Sequence, residues 1–286
     1  MRIAILGLGL IGGSIARSVV PRGWPVTAWT PSGTGPRAAT ADGVTMAPTL
    51  ADAVRGAELV VVAAPPLAAL ELLDALGSLG DDELGRETVV TDVASTKAAI
   101  VERARAAGLR FVGGHPLAGR ETSGYAAADG ELFQGRPWVV VPTAPPDVAA
   151  EERVTELVRA CGAEPVRMGA ADHDAAVAAI SHLPLLVSAA LVEAVTGDAS
   201  WSDAERLAAG GWASMTRLAR SNVAMGAGIL ATNAAEVSTR LAALSAVLAG
   251  WSTDLASRDV ARRATDRLER AREALDGRGP DSERDQ

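Results

Sequence analysis

The chain has 286 residues, a formal net charge of −8 and a single cysteine, Cys161. That length supplies a full core for one large domain or two ordinary ones. The excess of acid argues against nucleic acid or an anionic membrane as main partner, since both reward basic surface; one cysteine excludes an internal disulfide and fits a reducing cytoplasm.

The opening MRIAILGLGLIGGSIARSVV has the Arg and apolar run of a signal peptide, but four glycines interrupt the run and no small-residue cleavage site follows. No stretch reads as apolar enough for long enough to span a bilayer. The chain is expected in the cytoplasm. Strands are predicted at 2–6, 25–29, 58–65, 87–93, 109–114, 137–142 and 163–168. The runs at 58–65 and 87–93 are almost continuously apolar, as parallel strands covered on both faces require. Helical patterns such as PLAALELLDALGSL and STKAAIVERARAAG lie between strands, and the alternation predicts a doubly wound α/β domain. Cys161 closes the helix read in EERVTELVRACGAEPV and serves there as a small packing residue.

Past Met168 the β signal stops, and Asp172 to about Asp276 reads as helix. Val237, Leu241, Leu244, Leu248, Trp251 and Leu255 recur at steps of three and four. Such a stripe forms either core or interface, and a small helical domain with several stripes has apolar surface to spare for a twofold homodimer. The domains predicted are a dinucleotide-binding domain at 1–170, an all-helical substrate and dimerisation domain at 171–275, and a disordered polar tail at 276–286.

The first strand runs directly into Gly7-x-Gly9-x-x-Gly12 and a helix, with a second strand about twenty residues on. This is the Rossmann fingerprint: a tight turn, close backbone approach to a pyrophosphate, and a helix N-terminus offering free N–H groups. Gly7, Gly9, Leu10, Ile11 and Gly12 therefore form the predicted cofactor turn. NAD enzymes usually end the second strand on an acid that holds the ribose diol. Here the strand ends at Thr30 and Ser32, with Arg37 nearby. Hydroxyls and an Arg accept a 2′-phosphate that a carboxylate repels, so the cofactor is NADP or NAD, with a lean toward NADP.

TVVTDVASTK brings Asp92, Ser95, Thr96 and Lys97 to the sheet's carboxyl edge, where ligands of open α/β folds bind. Asp92 joins the cofactor set. Ser95 reads equally as a helix N-cap and as a substrate contact. FVGGHPLAG brings His115 to the same edge at a strand's carboxyl end, flanked by Gly113 and Gly114 and pinned by Pro116, a placement suited to a catalytic imidazole. In the helical part, Asp172 or Asp174 is expected to cap a helix and leave His173 exposed in its first turn. His182 faces the cleft or is buried with a partner, and Arg217 and Arg220 are surface charges or a carboxylate clamp. No metal site is predicted.

GLGLIGGS, TDVASTK, GGHPLAGRETSG, DHDAAVAAISHLP and MTRLARS, in that order, closely resemble the prephenate and arogenate dehydrogenases of tyrosine biosynthesis. The resemblance implies oxidative decarboxylation of a cyclohexadienyl substrate. It assigns His115 as the base that takes the ring 4-hydroxyl proton, Ser95 as a second hydrogen bond to that hydroxyl, and Arg217 and His182 to substrate binding. An imidazole near neutral pKa suits the proton transfer. Many prephenate-specific members read SHLPH, whereas this chain has Leu185 at the last position, as arogenate users do. No fused mutase or regulatory domain is expected. Rival readings are a β-hydroxyacid dehydrogenase or imine reductase, disfavoured because no lysine follows Lys97, a 4-amino-4-deoxyprephenate dehydrogenase, and a non-catalytic NADP sensor.

Overall fold

The structure is a computed structural model that describes residues 1–120 and 122–277. The chain divides into two compact units, Met1–Val237 and Ser238–Gln286. Of the tail predicted at 276–286, residues 278–286 lie outside the described residues.

In the first unit, strands β1 (Ile3–Leu6), β2 (Val26–Trp29), β3 (Thr45–Met46), β4 (Leu59–Val62), β5 (Val89–Asp92) and β6 (Phe111–Val112) pair in the order β3-β2-β1-β4-β5-β6, and every pairing is parallel. The strand order reverses between β1 and β4, which opens the crevice where doubly wound sheets hold their ligands. Side chains alternate across the sheet. Ile3, Ile5, Leu59, Val61 and Val89 meet α1 (Leu10–Val19) and α6 (Val148–Ala160) through Ile15, Val19, Val154 and Leu157. Ala4, Leu6, Val60, Val62 and Val90 meet α3 (Leu50–Val54), α4 (Pro66–Gly77) and α5 (Ala98–Ala106) through Val54, Leu73, Leu76 and Ile100. With both faces covered, neither parity can be polar, which is why these strands read as unbroken apolar runs. Helix α2 (Thr34–Ala39) follows β2. The two-residue β3, both residues exposed, has no apolar signature and was not predicted.

The strand read at 109–114 is two strands. Beyond β6 the chain leaves the main sheet at Gly113 and starts β7 (Gly114–Pro116), which pairs antiparallel with β8 (Pro137–Val140); β8 in turn pairs parallel with β9 (Glu164–Arg167). His115 is therefore the middle residue of a short strand in a second sheet, opposite Val139, rather than the carboxyl end of a parallel strand. The switch depends on glycine: a Cβ at Gly114 would stand 2.7 Å from the Asp92 carbonyl oxygen.

Helices follow as α7 (Ala170–Val177), a π-helical turn (Ala178–His182), α8 (Leu183–Thr196), α9 (Trp201–Ala204), α10 (Gly210–Thr216), a 3₁₀ turn (Arg217–Arg220), α11 (Val223–Thr232), α12 (Ala234–Leu255) and α13 (Val260–Asp276). Pro184 follows closely on the π-helical turn within one continuous helical run, and such a turn is where a missing N–H is accommodated. Contrary to the sequence reading, the run Ala170–Thr196 is long and apolar enough, by length and composition, to cross a membrane. It nevertheless carries buried His173, Asp174 and His182, all hydrogen-bonded to groups of other elements. Within the stripe at 237–255, Val237 is buried, but Leu248 and Leu255 are 57% and 62% exposed. Most of the stripe is thus not core of this chain.

The second unit is helical. Asp254 pairs with Arg263 and Arg267 at 2.8 and 2.6 Å, and the Arg267 guanidinium stacks over Trp251.

Candidate active site

The turn from β1 into α1 has the geometry of a phosphate cradle. Gly7 has φ +103°, and a Cβ there would lie 2.2 Å from the Ala63 carbonyl oxygen, while a Cβ at Gly12 would lie 2.0 Å from that of Gly7. No side chain is tolerated at either position. At Gly9, by contrast, nothing stands within 4 Å of an added Cβ. Helix α1 has no side-chain cap and no acid in its first turn, so the amides of Leu10, Ile11 and Gly12 are open to an anion. Just past β2, the buried Thr30 hydroxyl oxygen has no hydrogen-bond partner among the described residues. The Ser32 hydroxyl accepts from the Thr34 amide, and the Arg37 guanidinium folds back to donate to the carbonyls of Ser32 and Gly33 at 2.8 and 3.2 Å. The open cradle at the N-terminus of α1 fits the pyrophosphate of a dinucleotide.

Asp92 does not present its carboxylate to a ligand, and its assignment to the cofactor set is corrected. It is fully buried: one oxygen accepts from the Gly114 amide at 3.0 Å, the other from the Ala94 amide at 2.9 Å and from the Lys97 ammonium. Lys97, also fully buried, donates in addition to the Gly114 carbonyl at 2.7 Å. Burial lowers the Lys97 pKa, and the charges of Asp92 and Asp174 oppose that shift. The pair clasps both backbone groups of Gly114, the residue preceding His115.

Ser95 is half-buried in the loop between β5 and α5 and does not cap α5. The cap comes from Asp174, whose carboxylate accepts from the amides of Lys97 at 2.7 Å and Ala98 at 2.8 Å. Asp174 therefore does not cap its own helix, where Gly169 occupies the N-cap. His173, expected in solvent, is 1% exposed. Its Nδ1 lies 2.8 Å from Asp174 Oδ1 and its Nε2 lies 2.9 Å from Nδ1 of His115. Burying a neighbouring His and Asp is affordable only when both are paired, and the partners lie 58 and 77 residues away. The signal available in the sequence was Asp-His-Asp set at the head of an otherwise apolar helix.

His115 is half-buried, and its pKa is held well below the ordinary histidine value, first by burial and then by the charge of Lys97 and the neighbouring His173 and His182. His182 is buried; Asn233 Nδ2 lies 3.2 Å from its Nδ1 and also donates to the Asp174 carbonyl at 2.9 Å. The second donation identifies that Asn233 atom as the amide nitrogen, so His182 Nδ1 is an acceptor and its proton sits on Nε2. That Nε2 is buried with no hydrogen-bond partner among the described residues. Burial pushes the His182 pKa down to about 4.

Helix α11 roofs this edge of the sheet. Thr232 shares a 2.8 Å hydrogen bond with Thr96, and Gly228 packs on Pro66. Leu185 packs near Gly226 of the same helix. Arg217 and Arg220 stand exposed on the 3₁₀ turn, which is tied to α8 by the Ala219 amide and Ser188 hydroxyl at 3.0 Å. The structure thus joins His115, His173, Asp174, Asn233 and His182 in one network.

This fold and edge match a known family. Residues 31–167 match the prephenate dehydrogenase nucleotide-binding domain and residues 169–268 the prephenate dehydrogenase dimerization domain. The chain belongs to the prephenate dehydrogenase family. The prephenate dehydrogenase of Bacillus subtilis is 34% identical over 246 residues, covering 83% of this chain and 66% of its own length. A cyclohexadienyl dehydrogenase of Zymomonas mobilis is 30% identical over 247 residues, covering 81% of this chain and 80% of its own. The crystal structure of Synechocystis arogenate dehydrogenase superposes with a TM-score of 0.78 at 28% identity, covering 96% of this chain and all of the other. This chain spans just under two thirds of the length of the Bacillus relative.

Proposed function

We propose that the protein is an NAD(P)-dependent dehydrogenase that oxidatively decarboxylates a cyclohexadienyl substrate of the prephenate or arogenate type. The observation that carries this reading is the imidazole of His115, whose neighbour Gly114 is hydrogen-bonded to Asp92 at the carboxyl end of β5, the same sheet edge that carries the glycine cradle. Relatives named prephenate, cyclohexadienyl and arogenate dehydrogenases support the substrate class. The bound dinucleotide supplies the hydride acceptor. Nε2 of His115 takes the proton from the ring 4-hydroxyl as C4 gives up hydride; the ring carboxylate then leaves as CO2 and its bonding electrons complete the aromatic ring. Ser95 shares the hydrogen bond to that hydroxyl. Arg217 meets a substrate carboxylate, and the unpartnered Nε2–H of His182 donates to a substrate acceptor.

The same reading takes NADP at least as well as NAD, because Thr30 and Ser32 stand where a carboxylate would repel a 2′-phosphate. It places domain boundaries near residues 170 and 275, a twofold homodimer through the exposed stripe at 237–255, and the protein in the cytoplasm, where the free Cys161 thiol stays reduced. Absorbance at the reduced-nicotinamide band, with prephenate, arogenate and 4-amino-4-deoxyprephenate and each cofactor in turn, tests the activity. No turnover with any combination rejects it.

A further inference from the structure

The proposed chemistry leaves the buried imidazole of His173 without a task. His173 lies between His115 and Asp174, its ring edge-on to that of His115 with centroids 5.1 Å apart and planes at 82°. Nothing about packing demands an imidazole there, since an aliphatic side chain fills such a space with no buried polar atoms to satisfy.

The hydrogen-bond directions along this chain follow from its far end. Asp174 Oδ1 accepts the Lys97 amide and Oδ2 accepts the Ala98 amide. Backbone N–H groups only donate, so both oxygens act as acceptors. His173 Nδ1, 2.8 Å from Oδ1, must then carry the proton. With its proton at Nδ1, His173 offers a bare Nε2, and His115 Nδ1 at 2.9 Å must donate to it. His115, with its one proton committed to Nδ1, exposes a lone pair at Nε2. Without His173, nothing among the described residues would choose between its two tautomers. An imidazole protonated at Nε2 cannot act as a base there.

We propose that His173, oriented by Asp174, is a positioning residue that holds His115 in the Nδ1–H tautomer and so keeps Nε2 free to take a proton. The inference rests on the assignment of His115 as base. It also explains why Asp174 serves two partners: the cap on α5 and the orientation of His173 use the same carboxylate, so the loop bearing Ser95 and the base are registered to one group. His182 is wired the opposite way, with Asn233 donating to its Nδ1 and the proton at Nε2. One ring is thus set as an acceptor and the other as a donor.

The chain has three histidines, so two-bond 1H–15N spectra of full-length protein with 15N-labelled histidine can be assigned by single variants. At pH 7.5, without ligands, His115 should show a protonated Nδ1 and a bare Nε2. A wild-type spectrum with the proton on Nε2 overturns the proposal, whether or not any variant folds. His173→Leu should move His115 toward the Nε2–H form and lower kcat about 10²-fold with KM changed less than about threefold. His173→Gln, whose amide can accept from His115 and donate to Asp174, should restore kcat to within about tenfold of wild type. An unchanged His115 spectrum and kcat within twofold in His173→Leu would reduce His173 to packing. A wild-type spectrum in the Nδ1–H form with no turnover of any substrate would support the positioning and reject the activity instead.

Discussion

Lys97 Nζ bridges the Asp92 carboxylate and the carbonyl oxygen of Gly114, with all of its side chain out of solvent. It is the only lysine in the chain. An amine-reactive probe should therefore label native protein at the N-terminal amine alone and reach Lys97 only on unfolding. Asp92→Asn leaves the ammonium buried without its counter-charge and should cost about 3–5 kcal/mol, read from the urea midpoint. Rapid labelling of Lys97 in the folded protein would show that the clasp opens.

His115→Asn should lower kcat by about 10²–10⁴, the usual worth of a positioned base, with little change in KM. Because burial holds the His115 pKa well below the ordinary histidine value, the base stays unprotonated as pH falls through 6.5, and kcat/KM should hold level there. A variant that keeps more than a tenth of wild-type kcat removes His115 from the chemistry.

His182 links stability to pH. Its pKa of about 4 in the fold lies below the 6.5 of an unperturbed histidine, so the unfolded chain binds the extra proton between those values. The contribution is complete above pH 6.5 and is lost as pH falls toward 4, worth roughly 3 kcal/mol at most. His115 acts in the same direction. Urea midpoints at pH 7.5 and 4.5 should diverge more in wild type than in His182→Gln. Equal divergence in the two proteins assigns the acid sensitivity to other groups.

Thr30→Asp should shift cofactor preference toward NAD, since a carboxylate at the end of β2 holds a ribose diol and repels a 2′-phosphate. The measurement is kcat/KM with each cofactor. If wild type already favours NAD more than tenfold, the unpartnered Thr30 hydroxyl is not what selects the cofactor.

Leu185 can neither donate a hydrogen bond nor carry charge, and it packs near Gly226. A hydrogen bond to a charged group is worth about 1.5–3 kcal/mol, or one to two decades in affinity. Arogenate should accordingly be used at least as well as prephenate, and Leu185→His should raise relative activity on prephenate. A hundredfold wild-type preference for prephenate would move the origin of the choice to another position.

Periodicity and turn chemistry are local, and they made the parallel sheet and the glycine turn between β1 and α1 readable. The runs at 58–65 and 87–93 announced strands buried on both faces because a covered strand has no polar parity, and Gly7 and Gly12 announced the cradle because no other residue fits. Other features have no local signature. The chain's exit from the main sheet at Gly113, the α5 cap supplied by Asp174, the burial of His173 and the commitment of Asp92 to Lys97 join groups between 5 and 77 residues apart. Each depends on the cost of burying a polar group, which is offset only by whichever partner the fold brings within hydrogen-bond reach. Residue types in sequence name the groups able to make such bonds, but tertiary packing alone decides which of them meet.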